Sequence, residues 1–489
     1  MKNFPPRSAF GAPPSRGRHQ RPGKAGSAVA PVLAVVLGGL LVTACAVGPT
    51  YQTPAVETPV AFKEGRGEWV RAVPADTLER GPWWELFGDA ELNALASQVE
   101  VSNQNVAAAV AAYAQARALV AEQRATLFPT VSLDVGANRS GGRGDTPARG
   151  SYQVGIGGSW EPDVWGRLRR GVESSRAGAQ ASLADLQAAK LSAQGELAGN
   201  YFNLRELDTA LSLQAETITG YQRTLKIAQN RYDAGIAART DVLQAQTQLA
   251  NAQAEQLGLE RQRAVLEHAI AVLVGKAPSN FSIALRPVWA GVVPDIPLDV
   301  PSTLLQRRPD IAAAERRVAA ANEQIGIAQA AYYPSLRLSG STGLAAASIG
   351  DLFSASALVW SLGASIAQTI FNAGATGARV EGARAGLDEA SARYRQTVLS
   401  AFQDVEDQLV ASRILQSQLV LRQQAAQAAN LVEQQVLNRY QAGQVGYTEV
   451  VTAQVTAQNA RRALVQAQSD RQVAAVALIQ ALGGGWRGL

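Results

Sequence analysis

Little in this chain is equipped for covalent or acid–base chemistry. Its 489 residues include one cysteine, Cys45, and two histidines, His19 and His268. A single thiol excludes an internal disulfide and a multi-cysteine metal site. His268 stands alone in a helical run, without the further ligands a metal needs or the partners a catalytic triad needs. No glycine-rich phosphate loop follows a strand, and the acids are spread along helix faces, where solvation and i,i+4 pairing account for them. Neither catalysis nor a bound cofactor or metal is expected. The residues that recur are those of a bend. Asn230, Arg231, Tyr232, Ala234, Gly235, Thr240, Asp241 and Val242 return in register as Asn438, Arg439, Tyr440, Ala442, Gly443, Thr448, Glu449 and Val450, 208 residues later. Such a match is an internal repeat. Each copy lies between two long helical patterns and reads as the turn of a helical hairpin, with Gly235 or Gly443 making the turn. Asp241 and Glu449 each follow a threonine at a helix start, where an acid caps the helix and offsets its dipole.

Composition narrows the partners. The net charge is +5, but residues 1–44 hold six basic residues and no acid. Taking those six from +5 leaves −1, so the rest of the chain gives a nucleic-acid partner no electrostatic support. Within the N-terminal segment an apolar run of about 15 residues, Ala28 to Val42, is short of the ~20 a membrane helix needs. A basic head, a short apolar run and small residues read as a secretory signal over 1–44. The run ends Leu41-Val42-Thr43-Ala44-Cys45. This resembles a bacterial lipobox, which implies cleavage before Cys45, a covalent lipid on it, and, with Ala46 next, sorting to the outer membrane. The other reading is a free thiol behind a membrane helix.

Periodicity supplies the elements that must hold the bends. Residues 45–82 form a proline-rich, extended lead. Trp83 to Leu92 open a helix, with Asp89 as its cap before Leu92, Leu95, Val99 and Val106, and Pro129 ends the helical sequence. The period then becomes two. Val131, Leu133 and Val135 alternate with Ser132, Asp134 and Gly136, and Tyr152, Val154 and Ile156 alternate with Gln153, Gly155 and Gly157. Strands are expected near 130–140 and 151–161. One apolar and one small or polar face match strands of an outer-membrane β-barrel, although a soluble hairpin packed on a helix has the same alternation. Residues 167–230 could form one helix of roughly 95 Å, and a second returns from Asp241 to about Val274.

The second half follows the same plan after a proline-rich linker at 276–310. Strands are expected near 335–344 and 357–367, a long helix over about 373–438, and a last helix to about Leu482. The chain divides into a first repeat (83–275), the linker, a second repeat (311–482) and a tail (483–489). Four strands cannot close a barrel, and an open edge in lipid is costly, so the sequence implies an oligomer sharing one barrel. The helices, poor in large apolar residues and rich in Ala, Gln and Ser, suit thin, closely packed walls.

By order and content the sequence resembles the TolC/OprM-like outer-membrane efflux factors, in their lipoprotein branch associated with resistance-nodulation-division pumps. The match is carried by Cys45-Ala46-Val47-Gly48-Pro49, by Trp83-Trp84-Glu85-Leu86-Phe87-Gly88-Asp89, by Trp160 through Arg167, by Arg308-Pro309-Asp310-Ile311, by Ala321 through Pro334, and by the twin bends. The resemblance implies a mainly α protein with membrane β-strands. It also implies a homotrimer with a twelve-strand outer-membrane barrel and a twelve-helix periplasmic tunnel. The protein would be a passive exit duct for small molecules, served by a periplasmic adaptor and an inner-membrane pump. The bends would form the periplasmic tip, gate it and dock the adaptor, with Tyr232 and Tyr440 as tip aromatics. Glu449 aligns with an acid that faces the pore constriction in relatives, where three copies would make an anionic ring. Helix capping remains the other reading for both Asp241 and Glu449. Val445 and Thr452 stand where some relatives carry a basic gate residue and a second acid. An exit duct of type I protein secretion and a non-channel, periplasm-spanning coiled-coil lipoprotein remain as alternatives, the latter leaving the strands unexplained.

Overall fold

The computed structural model describes residues 46–65, 81–141, 149–289, 291–294, 296 and 308–484. The expected signal segment, Cys45, part of the lead, much of the linker and the end of the tail lie outside them. In chain order the elements are α1 (Ala90–Ser102), α2 (Gln104–Ala125), β1 (Thr130–Ser140), β2 (Arg149–Trp160), α3 (Arg167–Asp233), α4 (Arg239–Leu273), α5 (Pro309–Ala330), β3 (Ser335–Ala346), β4 (Leu358–Ala367), α6 (Ala375–Gln441) and α7 (Tyr447–Ala481). The two repeats agree closely. Both α3 and α6 have 67 residues, about 100 Å each, and both α4 and α7 have 35. Gly166 and Gly374 precede the long helices in the same left-handed conformation. No described helix is long and apolar enough to cross a membrane.

Asp89 caps α1 by accepting from the Glu91 and Leu92 N–H groups, as its position predicts. The helical run beyond it is broken once, which periodicity does not signal. Asn103 accepts from the Asn105 and Val106 N–H groups, starting α2, and donates to the Leu273 carbonyl at 2.8 Å. A side chain able to cap one helix and hold another ends α1 without a proline.

The four strands form one antiparallel sheet in the order β1-β2-β3-β4. Register aligns the apolar residues across all of them: Leu133 faces Ile156, Val154 faces Leu344, and Leu336 faces Ile366. One face therefore carries Val131, Leu133, Val135, Leu336, Leu358, Leu362 and Ile366, and the other carries Ser132, Asp134, Gln153, Ser339, Ser341 and Ser361. The apolar side is open to the surroundings, with Val135 at 72% exposure and Leu362 at 83%. In a water-soluble sheet the apolar face would be the covered one. Strands of 10–12 residues match the ~9–11 that a tilted strand needs to cross a bilayer. Phe128, Trp160, Tyr332 and Tyr333 gather where the strands meet the helices, all partly or largely exposed, as in the aromatic girdle of a membrane barrel.

Below the sheet, helices lie side by side. Near the strands the neighbours run α2–α3–α5–α6, and toward the bends α4–α3–α7–α6. Apolar packing is divided into several small clusters along this wall. The largest gathers Trp83, Trp84, Phe87, Tyr201 and Phe202 with Ile270 and Ile479. Beside it lies a buried ionic network. Arg205 and Asp208, both fully buried, pair at 2.5 Å. Arg205 also reaches Glu91 and the Ala284 carbonyl, and Asp208 accepts from Arg263 and from the Arg286 N–H. The start of the linker is thereby tied to the wall.

The lead is bound as well. The Val47 N–H donates to the Trp165 carbonyl, and both Arg170 and Asn322 donate to the Pro49 carbonyl. Gly48, at φ +117, passes so close to α5 that a Cβ would meet the Gly326 Cα at 2.6 Å. Farther on, the Tyr51 hydroxyl donates to Glu315, and the Lys63 and Glu64 N–H groups donate to Glu406. Burial and the Glu315 carboxylate push the Tyr51 hydroxyl up to about 12.

Candidate functional site: the paired bends

Both bends close in the same way. At the end of α3 the Gly235 N–H donates to the Tyr232 carbonyl and the Ile236 N–H to the Arg231 carbonyl. At the end of α6 the Gly443 N–H donates to Tyr440 and the Gln444 N–H to Arg439. This is the Schellman pattern, and it needs a left-handed residue, supplied by Gly235 and Gly443 at φ +75. A Cβ at Gly235 would meet nothing within 4 Å, so the glycine is required by backbone conformation and not by crowding.

The helices that follow begin at Arg239 and Tyr447, and their caps, Ala238 and Gly446, make no side-chain hydrogen bond. This corrects the capping role expected of Asp241 and Glu449. Thr240 and Thr448 occupy the second helical position and the acids the third. The acids act on the helix through its dipole, typically worth ~0.3–1 kcal/mol, and accept no capping bond.

The two bends of one chain pack on each other. Tyr440, Tyr447 and Val450 of the second bend form a buried cluster with Ala228, Val242 and Ala245 of the first. Arg231 donates from Nη1 to the Tyr440 carbonyl at 2.7 Å, and its guanidinium lies 4.8 Å from the centre of the Tyr440 ring. The Tyr440 and Tyr447 rings meet edge to face at 5.6 Å. Burial raises the pKa of both hydroxyls, and the Asp241 carboxylate adds to the effect on each. Farther from the bends, Gln454 donates to Thr224, and the Tyr221 hydroxyl donates to Gln458.

The expected tip residues therefore differ. Tyr440 is buried at 1% exposure and Tyr232 is open at 40%. Gly235, Gly443, Thr240, Thr448 and Glu449 are exposed, and Asp241 is partly so. Glu449 borders a groove of about 370 Å³ between α6 and α7, walled by Ala429, Val432, Val436, Thr452 and Ala453. The Arg231–Tyr440 contact and this groove were not foreseen. The recurrence of Arg231 as Arg439 carries the signal, but a repeated arginine does not show which of its copies is covered. No described group of His, Cys, Asp and Glu could hold a metal.

A sheet apolar on its outer face, continued by paired helices of about 100 Å that end in packed bends, defines an outer-membrane channel protein with a helical extension into the periplasm. The chain belongs to the outer membrane efflux protein family, whose model matches residues 95–276 and 300–484. Among curated proteins it is 31% identical to the pyoverdine export outer membrane protein OpmQ of Pseudomonas aeruginosa, covering 93% of this chain and 97% of that one. It is 28% identical to the cation efflux system protein CusC of Escherichia coli, covering 92% and 97%. Among solved structures the outer-membrane channel OprN aligns with a TM-score of 0.82 at 32% identity, covering 90% of this chain and all of that one. The open state of the MtrE channel of Neisseria gonorrhoeae aligns with a TM-score of 0.80 at 30% identity, covering 90% and 98%. The chain is thus an outer-membrane component of an efflux system, as its sequence pattern implies.

Proposed function

We propose that three copies of this chain join head to tail into one passive exit duct, lipid-anchored at Cys45, whose bends form the mouth that a periplasmic adaptor engages. The observation that carries this is the matching set of open flanks. Among the described residues β1 and β4 are the unpaired edges of the sheet. In the upper wall α2 and α6 are the end helices, and in the lower wall α4 and α6 are. Every layer ends in the same two repeats, so one rotation can join all three layers at once, as a head-to-tail ring requires. Three copies bring twelve strands, within the range of membrane barrels, and leave no edge in lipid.

The lipid on Cys45 is supported by where the lead is held. Val47 bonds to Trp165, just beyond the foot of β2. Trp165 stacks on Tyr333 of the aromatic girdle, so the described start of the lead is held at the girdle, where a lipid anchor ahead of it would be useful. The relatives are named for export of cations, of pyoverdine and of toluene. Cargo so diverse suits a duct that provides the route, with the adaptor and an inner-membrane pump providing choice and energy. Single-channel recording of the purified protein in planar bilayers tests this reading. Discrete conductance steps are expected; a folded, membrane-inserted protein without them refutes the duct.

A further inference from the structure

The column of side chains that β1 turns toward lipid ends on a charge. Val131, Leu133, Val135 and Ala137 share that face, and Arg139 is the next residue on it. Arg139 is exposed and has no hydrogen bond or ion pair among the described residues. Its depth is that of a lipid headgroup. β1 starts at the aromatic girdle and has 11 residues, which is about 37 Å of strand and, at a tilt of ~40°, about 28 Å along the membrane normal. That slightly exceeds the ~25 Å apolar band of a membrane barrel, so Arg139, next to last in β1, emerges beyond the band. The long helices leave from the girdle end, so the Arg139 end faces the exterior.

The neighbouring strand leaves room beside it. Across the ladder Arg139 faces Gly150, and Ala137 faces Tyr152. Gly150 presents no side chain, and the Tyr152 ring leans over it toward the rim: a Cβ at Gly150 would meet Tyr152 Cε2 at 3.2 Å and Cζ, which carries the hydroxyl, at 3.9 Å. The Tyr152 hydroxyl also has no hydrogen bond among the described residues. Arg139 therefore stands over a notch floored by glycine, with a phenol as its wall. The other arginine at this level, Arg149, lies opposite Ser140 and so on the lumen face.

We propose that Arg139 and the Tyr152 hydroxyl seat a phosphate of a phosphorylated glycolipid in the exterior leaflet of the outer membrane. A guanidinium matches phosphate with two parallel hydrogen bonds. Its stem can run along apolar surface while its head reaches the polar layer, and tyrosine suits the same depth. An arginine that served a passing solute would face the lumen, as Arg149 does. The seat lies within the sheet of one chain and needs no contact between copies.

The test is native mass spectrometry of the full-length, delipidated protein in detergent, titrated with bisphosphorylated lipid A. Lipid adducts are expected for the unsubstituted protein. Arg139→Gln should weaken binding several-fold, Tyr152→Phe less, and Arg149→Gln not at all. Equal binding by Arg139→Gln, or an equal loss in Arg149→Gln, would overturn the seat. Dephosphorylated lipid A that binds as well as the phosphorylated form would overturn the phosphate contact. Displacement of lipid A by inorganic phosphate alone would make the site one for a soluble anion and overturn the lipid. Arg139→Gln should still conduct in planar bilayers, which separates failure of this seat from failure of the duct.

Discussion

At the scale of residues, the twin bends show how one motif takes on two environments. Val at Gly235 or Gly443 should destabilise its hairpin by about 1–2 kcal/mol, because a β-branched side chain cannot adopt the left-handed turn cheaply. Asn at the same positions should cost much less, and thermal unfolding of the purified protein separates the two. The Tyr440 hydroxyl is buried without a hydrogen-bond partner among the described residues. Tyr440→Phe should therefore raise stability by about 1 kcal/mol while keeping the Arg231 stacking, whereas Arg231→Ala should lower it. Glu449→Gln should lower the cation selectivity of the channel, read as its reversal potential in a salt gradient; an unchanged potential would take Glu449 out of the lumen-facing ring that the family resemblance implies. Asp89 supplies a pH test. Burial pushes its carboxyl up, but the Leu92 N–H, the Tyr201 hydroxyl and Arg286 outweigh burial and hold it below the ordinary range. Its contribution is present above the unfolded carboxylate pKa and is lost as pH falls through the lowered folded value. Asp89→Asn, which keeps a good cap, should flatten that acid loss in a melting series.

At the scale of elements, the sequence was most legible where a period ran long without proline. The boundaries of α3, α4, α6 and α7 fall within about three residues of those expected from pattern alone. The strands were legible because the face that meets lipid is apolar and its reverse is not. Two features were hidden. The break at Asn103 depends on a side chain that finds Leu273, 170 residues away, and local pattern carries no trace of such a partner. The buried Arg205–Asp208 pair reads in sequence like any i,i+3 surface pair; only the packing of α1, α4 and the linker start around it removes its water. Asp208→Ala should therefore cost about 3–5 kcal/mol, far more than loss of an exposed pair such as Arg176–Glu173. Chemical denaturation of both variants in detergent gives the comparison.

At the scale of the whole molecule, the same two repeats run through membrane, wall and mouth, and each layer stops at a matching pair of open flanks. A charge on the lipid face tests the membrane layer: Leu362→Arg should cost about 2–4 kcal/mol if the residue lies near the bilayer midplane and should reduce insertion, while Ser361→Arg on the opposite face should not. The legible part of the site was its location at the bends. What sequence could not apportion was which copy of each bend residue the chain itself covers and which it leaves for another copy. The claim on which all of this depends is the number of chains in one duct. Native mass spectrometry of the detergent-extracted protein measures it directly. Three chains per particle are expected; a particle of one chain, with its four strands closed on themselves, would contradict the shared barrel.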